Sequence, residues 1–388
     1  MISKLYSISQ KNERRIIGLM SGTSLDGLDI ALCKISREGR NTSVVLEEFT
    51  TIEYAQPLAS QIRSISQEEI SLSSLCLLNT QLGVLYAKWI NESLKKWKIS
   101  ATETDLVASH GQTIYHRPRP DGNQRSSTLQ IVDADIIARH TGIVTVSDFR
   151  MKHVAAGGEG APLAGYGDYL LFAENGVDVV MLNIGGISNF TFLPKKSDTE
   201  ILCSDIGPGN TLIDSWQRKH FARAFDKDGE VAGAGRVNEA LLAKLLDHTF
   251  FKLPFPKTTG PEEFNYEFIA ESIKGSMSSD IDNEDVAATL TKLTAVSIAD
   301  AVRSVLKDSP FKVYVSGGGA KNKTLMSMFR AELPTAIFST TEEEGILPDA
   351  KEAVLFAVLA NECVAGKPET FAGTGLLSVR MGKISFPD

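Results

Sequence analysis

One stretch near the N-terminus, Gly18-Leu-Met-Ser-Gly-Thr-Ser-Leu-Asp-Gly-Leu-Asp29, decides how the chain begins to fold. An apolar run from Ile16 to Met20 leads into its polar centre, and a second apolar-rich run extends from Leu28 to Ile35. Such a pattern predicts a strand, a tight turn and a second strand. We therefore expect a β-hairpin with a glycine-rich, hydroxyl-rich turn.

The turn of this hairpin has the residue types of a phosphate-binding loop. Glycines at both ends permit backbone angles closed to other residues, and two hydroxyls stand beside a row of amide donors. The predicted nucleotide contacts are Gly22, Thr23, Ser24, Leu25, Asp26, Gly27, Leu28 and Asp29. Asp26 and Asp29 would repel a bare phosphate, so we expect them to hold a divalent cation through water. The alternative is an ordinary hairpin whose Asp and Gly only form the bend.

The composition is that of a globular protein with more than one core. The 388 residues are 43% hydrophobic and 23% charged, and this length predicts two domains. The net charge of -8 argues against nucleic acid or an anionic membrane as the main partner. Four scattered cysteines, a polar N-terminus and no apolar run of about 18 residues predict a reducing, cytoplasmic location.

The hairpin pattern recurs in the second half of the chain. Val179–Ile184 is predicted as a strand, Gly185-Gly186 as the turn and Ile187–Phe192 as the return strand, with Asn183, Gly185 and Gly186 as nucleotide contacts. Each hairpin opens a region of alternating strands and helices. Two such regions predict a duplicated α/β domain with a nucleotide between the halves.

A third glycine cluster follows a predicted strand at Lys312–Ser316. Gly317, Gly318 and Gly319 would let the backbone approach a flat ligand, and Asn322 is a candidate cap for the next helix. We predict adenosine binding here. The alternative is a plain strand-to-helix loop.

Asp205 is the candidate catalytic residue. It stands near the end of a predicted strand, Ile201–Ile206, and the turn Gly207-Pro-Gly-Asn210 follows it and opens a helix predicted from Thr211 to Phe225, capped by Asn210. Helix amides and the helix dipole favour negative charge there, so this carboxylate can stay ionised and accept a proton. Phosphoryl transfer needs such a group, and Gly207, Gly209 and Asn210 would contact the nucleotide. The alternative is that Asp205 only fixes the turn by an Asx hydrogen bond.

Two segments carry candidate substrate contacts. His110 and Gln112 follow a short predicted strand, Leu106–Ser109, where open sheets place ligands, although His110 could equally be a structural histidine. The segment 148–163 reads as irregular and glycine-rich, which is typical of a functional loop. Its candidate sugar contacts are Arg150, Lys152, Gly160 and Pro162.

Taken together, five motifs resemble those of the anhydro-N-acetylmuramic acid kinases, members of the acetate and sugar kinase, Hsp70 and actin superfamily. The resemblance runs from about Ile16 to the C-terminus. The motifs are Gly18 to Asp29, Asp148 to Leu163, Leu182 to Asn189, Asp205 to Asn210, and Ser316 to Gly319.

The resemblance implies a duplicated actin-like ATPase (ASKHA) fold with a nucleotide cleft between two α/β domains. We expect one domain at 1–148 with about 367–388, and the other at 149–366. It also implies that ATP, Mg²⁺, water and a 1,6-anhydro sugar give ADP and the 6-phosphate of the opened sugar, with Asp205 as the base. A homodimer that recycles cell-wall fragments in the bacterial cytoplasm is implied as well.

Some positions allow another interpretation or depart from the family pattern. Glu352 matches a glutamate that faces the active site in relatives, but Asp349 to Glu352 also reads as a capping box. The family pattern usually has Asp at His153 and Gln at Glu159, which leaves the sugar uncertain. Levoglucosan, a 1,6-anhydroglucose, is the alternative substrate. Another small-molecule kinase, or a nucleotide-switched module of the actin or chaperone kind, would share the fold.

Overall fold

The computed structural model describes residues 1–22, 25–66, 70–118, 126–174, 176–196, 201–276, 280–306, 310–367 and 370–388. Thr23 and Ser24 of the first turn therefore lie outside the described residues. The chain forms two compact units, one of Met1–Leu171 with Glu344–Asp388 and the other of Phe172–Glu343.

The first unit contains a seven-stranded sheet. Its strands are β1 Glu13–Ser21, β2 Gly27–Ser36, β3 Ser43–Glu53, β4 Leu106–Arg117, β5 Ser127–Ile131, β6 Val144–Ser147 and β12 Lys383–Ser385. Its helices are α1 Ile2–Ser9, α2 Gln56–Ile65, α3 Leu72–Trp97, α4 Ala134–Thr141, α5 Phe149–Ala155, α6 Ala164–Phe172 and α13 Lys351–Ala365.

The second unit contains a five-stranded sheet. Its strands are β7 Asp178–Ile184, β8 Ile187–Leu193, β9 Leu202–Pro208, β10 Phe311–Ser316 and β11 Ala336–Ser339. Its helices are α7 Thr211–His220, α8 Glu230–Ala234, α9 Glu239–Leu246, α10 Tyr266–Gly275, α11 Asn283–Val305 and α12 Lys323–Glu332. None of the helices in the described part of the chain is long and apolar enough to span a bilayer.

Five strands of the first sheet, β6-β4-β1-β2-β3, have the same topology as the second sheet. The first runs β12-β6-β4-β1-β2-β3 with β5 on β4, and the second runs β11-β10-β7-β8-β9. Each begins with an antiparallel three-stranded meander and then adds parallel strands beside the first strand of that meander. The prediction of a duplicated α/β fold is confirmed, and the two mixed sheets agree with the actin-like class.

Helix α13 covers one face of the first sheet and is buried along most of its length. A methyl group added at Gly18 of β1 would lie only 1.9 Å from the carbonyl oxygen of Ala353, so the glycine allows the helix backbone to touch the strand. The predicted domain bounds put this helix in the second domain, whereas the compact units put it, with residues 149–171, in the first. Its apolar face is buried against β1, β2 and β4, which explains the difference.

Three local predictions are wrong in extent. Strand β4 continues to Arg117 because it pairs with β5, so His110 and Gln112 lie within the strand instead of after it. Residues 149–155 of the predicted irregular segment form α5, with Phe149 and His153 buried one turn apart on one face. Helix α7 ends at His220, well before Phe225, and Ala222 beyond it has a left-handed φ of 52°.

Candidate active site

Buried side chains hold the first glycine hairpin in place. The amide of Leu25 donates to Gly22 O at 3.4 Å and closes the turn. Gln112 Nε2 donates to the same carbonyl at 3.3 Å, and Ser21 Oγ donates to Gln112 Oε1 at 2.6 Å. Gln112 is 1% exposed, so its side chain serves the turn from within the protein. Its contact with a substrate stays a prediction.

Two tyrosines extend this buried chain of hydrogen bonds. Tyr54 Oη donates to Ser21 Oγ at 2.8 Å and lies 2.7 Å from Tyr86 Oη, and all three side chains are buried. A fully satisfied polar network of this kind fixes one arrangement of the groups that it joins. The position of the Gly22 carbonyl thus depends on residues of β3, β4 and α3.

Acidic groups gather beside the first hairpin. Asp29 accepts a hydrogen bond from Thr51 Oγ1 at 2.6 Å, and burial raises its pKa, with smaller contributions from Asp349 and Asp26. Glu352 is exposed at the start of α13, yet the surrounding protein reduces its hydration and raises its pKa; Asp29 adds to the rise and Arg150 opposes it. Among the described residues, no group of three or more His, Cys, Asp or Glu could hold a metal ion.

The capping-box reading of Glu352 is not realised. Ala350 occupies the N-cap position of α13 and makes no side-chain cap bond. The 3₁₀ turn at Pro348–Ala350 precedes it. Glu352 is thus available to act on groups outside the helix.

Arg150 organises the predicted sugar loop. Its Nε donates to His110 Nε2 at 2.8 Å, and its Nη1 donates to Gly160 O at 2.9 Å. Burial, with Arg150 beside it, lowers the pKa of His110 to about 3, so this imidazole is neutral and accepts at Nε2. His110, Arg150 and Gly160 are therefore brought together.

The other positions of this loop behave differently. His153 is buried and its Nδ1 accepts the Gly160 amide at 2.9 Å, so the residue that departs from the family pattern supports the loop from inside. Lys152, Glu159 and Pro162 are exposed.

The second glycine hairpin is held by backbone amides and by one side chain, that of Asn210. The amides of Gly209 and Thr211 donate to Gly186 O at 2.8 and 3.1 Å, and the amide of Asn210 donates to Gly185 O at 2.8 Å. The side chain of Asn210 donates to the carbonyls of Ile184 and Gly185 instead of capping α7 as predicted. The amides of Gly185 and Gly186 donate to no atom of the described chain.

The remaining predicted glycines divide into positions where an added methyl group would clash and one position, Gly318, where it would not. A methyl group at Gly207 would lie 2.9 Å from the Phe251 ring, and those at Gly317 and Gly319 would lie 2.6 and 2.3 Å from side chains of β7. Asn183, one of these neighbours, is also a predicted nucleotide contact. Gly318 alone of the triplet is open, and it lines a cavity of about 460 Å³. Asn322 caps α12 as predicted, accepting the Leu325 amide at 2.9 Å.

Asp205 lies on β9, half-buried, with one carboxylate oxygen fixed. Its Oδ2 accepts the amide of Thr259 at 3.1 Å, and its Oδ1 accepts no hydrogen bond among the described residues. Burial raises its pKa, and the Thr259 bond partly opposes that rise. The Asx alternative is not formed, because the side chain bonds to residue 259 and not to the glycine turn.

The sequence reading missed the segment that holds Asp205. Lys257 O accepts the Asp205 amide at 3.0 Å, and Ser204 Oγ bonds both to the amide and to the carbonyl of Lys257. Lys257 Nζ donates to Phe250 O at 2.9 Å, and burial lowers its pKa. The polar run after Phe255-Pro256 marks this segment in the sequence, but it does not identify Asp205 as the residue that the segment binds.

The chain was compared with known protein families and curated proteins. The family model for anhydro-N-acetylmuramic acid kinase matches residues 14–386. A protein of that name from Pseudoalteromonas atlantica is 48% identical over 100% of this chain and 99% of its own length. One from Caldanaerobacter subterraneus is 42% identical over 99% of this chain and 100% of its own.

Solved structures were compared as well. An activator of 2-hydroxyisocaproyl-CoA dehydratase from Clostridium difficile with bound ADPNP aligns over 90% of this chain and 96% of its own, with 11% identity and a TM-score of 0.39. The family is shown by the family model, which matches nearly the whole chain, and by these two relatives, which are 48% and 42% identical. The chain belongs to the anhydro-N-acetylmuramic acid kinase family.

Proposed function

We propose that this chain is an ATP-dependent kinase that opens the 1,6-anhydro ring of 1,6-anhydro-N-acetylmuramic acid and phosphorylates O6. The products are N-acetylmuramic acid 6-phosphate and ADP. A water oxygen bonds to the anomeric carbon as the C1–O6 bond breaks, and the freed O6 bonds to the γ-phosphorus as ADP leaves. The water gives up one proton, so the reaction needs a base at the anomeric carbon.

The observation that carries this proposal is the half-buried Asp205 carboxylate. Thr259 fixes one oxygen at 3.1 Å and leaves the other without a partner among the described residues, which suits a proton acceptor. Reduced hydration raises the pKa of this carboxyl, and a more basic carboxylate removes a proton from water more readily. Asp205 acts as the general base.

The second hairpin fits the phosphates of ATP. The Gly185 and Gly186 amides donate to nothing in the described chain, and backbone amides in a glycine turn bind phosphate oxygens. Gly207, Gly209 and Asn210 act by holding that turn in shape. The cavity beside Gly318 has room for a nucleoside, and Gly317, Gly319 and Asn183 pack behind it.

The first hairpin fits Mg²⁺ carried with the nucleotide. Mg²⁺ keeps most of its waters and binds through one or two carboxylates together with phosphate oxygens, so it needs no all-protein cage. Asp29 and Asp26 would hold it through water. The ion would offset the charge that develops on the transferred phosphoryl group. Gly22, Leu25, Gly27 and Leu28 shape the turn, with Thr23 and Ser24 as hydroxyl contacts.

The sugar side of the site is proposed around Arg150. Its guanidinium already binds His110 and Gly160 and can present its remaining N–H donors to hydroxyl or carboxylate oxygens of the sugar. Glu352, not engaged in a cap, would accept a sugar hydroxyl. Lys152 and Pro162 complete the predicted contacts. We further propose a cytoplasmic homodimer that recycles cell-wall sugars.

A coupled ADP-release assay tests the function. The purified chain with Mg-ATP should turn over 1,6-anhydro-N-acetylmuramic acid in preference to levoglucosan, glucose and acetate. Faster turnover of levoglucosan would contradict the proposed sugar. ADP release that depends on no small molecule would instead indicate a nucleotide-switched module. Product analysis should find phosphate on O6 and solvent ¹⁸O at C1, because water attacks the anomeric carbon.

A further inference from the structure

Charged side chains line part of the cavity beside Gly318. Its charged lining residues are Asp214 on α7, the segment Asp226, Lys227 and Asp228 before α8, and Lys321 before α12. Three of them are aspartates. A nucleoside offers hydroxyl and amino donors, so a carboxylate free to accept in this cavity would recognise it.

Two of the three aspartates are already engaged. Asp226 is buried, and its two oxygens accept the amides of Val231 and Ala232, both at 3.0 Å, at the start of α8. Asp228 forms an ion pair with Lys323 at 3.6 Å. These two carboxylates serve the protein's own structure.

Asp214 is the exception. Its carboxyl is half-buried, yet among the described residues it accepts no hydrogen bond and forms no ion pair within 4.0 Å. A half-buried acceptor without a partner is costly unless water or a ligand satisfies it. Its position on the cavity wall makes a ligand group the natural partner.

Its place along α7 indicates which part of a nucleotide it would meet. Asp214 lies four residues beyond Asn210, whose amide and side chain hold the second glycine turn. Four residues of α-helix rise about 6 Å. In a nucleoside diphosphate that distance separates the phosphates from the ribose hydroxyls, whereas the base lies farther away.

We propose that Asp214 accepts a hydrogen bond from a ribose hydroxyl of the nucleotide and makes the site selective for ribonucleotides over deoxyribonucleotides. This inference rests on the proposed ATP site. Removal of a charged acceptor from a buried hydroxyl typically lowers affinity by roughly 10- to 100-fold.

The ionisation of the group provides a second signature. Burial raises the pKa of Asp214 to about 6; Arg218 on the same helix opposes the rise and Asp226 adds to it. Asp228, Lys227 and Lys321 also line the cavity. An ionised carboxylate accepts a hydroxyl hydrogen bond better than a protonated one, so ribose selectivity should weaken as the pH falls through about 6.

The test compares the binding of three ligands by calorimetry: ADP, 2′-deoxy-ADP and 3′-deoxy-ADP. The wild-type chain should prefer ADP over at least one deoxy form by about 10-fold, and Asp214→Ala should bind all three equally. Asp214→Asn, which keeps the shape, should retain only part of the preference. Asp247→Asn, an exposed ion-pair partner of Lys252, is the matched control and should bind like the wild type.

Two outcomes would overturn the inference. Undiminished ADP preference in a folded Asp214→Ala variant would remove Asp214 from the role while leaving the proposed kinase intact. Wild-type protein that binds no adenine nucleotide would contradict the proposed function as well. The ratio of ADP to deoxy-ADP affinity is the pH readout, because the titration of the terminal phosphate is common to both ligands and cancels.

Discussion

The two glycine hairpins occupy equivalent places in equivalent sheets but are built differently. In the first, side chains hold the turn: Gln112 bonds to the Gly22 carbonyl, and Tyr54 and Ser21 support Gln112. In the second, the backbone amides of residues 209–211 and the side chain of Asn210 donate to the carbonyls of the turn, and the amides of Gly185 and Gly186 stay unused within the described chain.

Their electrostatic surroundings differ in the same way. Carboxylates surround the first hairpin, where Asp26 and Asp349 act on Asp29. The second offers unused N–H donors. Duplication of a fold therefore need not duplicate the chemistry of its turns: the first is suited to a hydrated cation and the second to an anion.

The third strands of the two meanders give the comparison its sharpest test. Strand β3 ends with Thr51 bonded to Asp29, whereas β9 presents Asp205 with one oxygen unused among the described residues. Asp205→Asn should lower turnover by roughly two to four orders of magnitude, because an amide cannot accept the proton. Calorimetric ADP affinity should stay within about twofold, since the substitution leaves the nucleotide contacts in place. Near-normal turnover in this variant would remove Asp205 as the base.

Gly209→Ala tests the second hairpin. The added methyl group would lie 2.3 Å from Gly185 O and force the two turns apart. We expect this overpacking to cost about 1–3 kcal/mol of the free energy of ADP binding, which corresponds to roughly 5- to 150-fold weaker binding. Gly275→Ala is the control, because its methyl group meets only the flexible end of Lys244. Unchanged ADP affinity in Gly209→Ala would show that the shape of this turn is unimportant for the nucleotide.

Asp29→Asn tests the first hairpin. Loss of a carboxylate that holds hydrated Mg²⁺ should raise the Mg²⁺ concentration for half-maximal turnover by about 10-fold, while metal-free ADP binding stays unchanged. The amide introduced by this substitution keeps an oxygen that can accept from Thr51, so the fold should survive. A metal-free ADP affinity that falls together with the Mg²⁺ dependence would place Asp29 in the nucleotide contact itself, and the two hairpins would then be less different than described.

Tyr54→Phe tests the support beneath the first hairpin and should have the smallest effect. Losing the hydroxyl at 2.8 Å from Ser21 Oγ should reduce the free energy of unfolding by about 1–2 kcal/mol. Turnover should change less than about twofold if Gln112 alone keeps the turn in place. Urea denaturation measures the free energy of unfolding of both variants. The control is Tyr6→Phe, because Tyr6 is exposed. Equal stability of both variants would show that the buried network contributes nothing.

Local patterns predicted most of the strands that carry the site. Apolar runs bounded by glycines identified both hairpins. In the structure Met20 pairs with Asp29 beside the first turn, and Ile184 pairs with Ser188 beside the second. The missed features depend on partners distant in sequence. Thr259 lies 54 residues from the carboxylate that it binds.

The domain bounds illustrate the same limit. Helix α13 is apolar nearly all round, which predicts burial but does not say against which sheet. The extension of β4 likewise required β5, whose pairing no local pattern in β4 reveals. Family resemblance predicted the chemistry of Asp205, whereas the structure assigns Lys257 and Thr259 to its support.

The contact between Gly18 and Ala353 has a consequence for biosynthesis. The strand is made long before its covering helix, so one face of that sheet stays bare until residues 351–365 leave the ribosome. The second unit, being continuous in the chain, can fold earlier. A nascent chain of this kind would complete its second unit before its first, because the sheet of the first unit waits for α13.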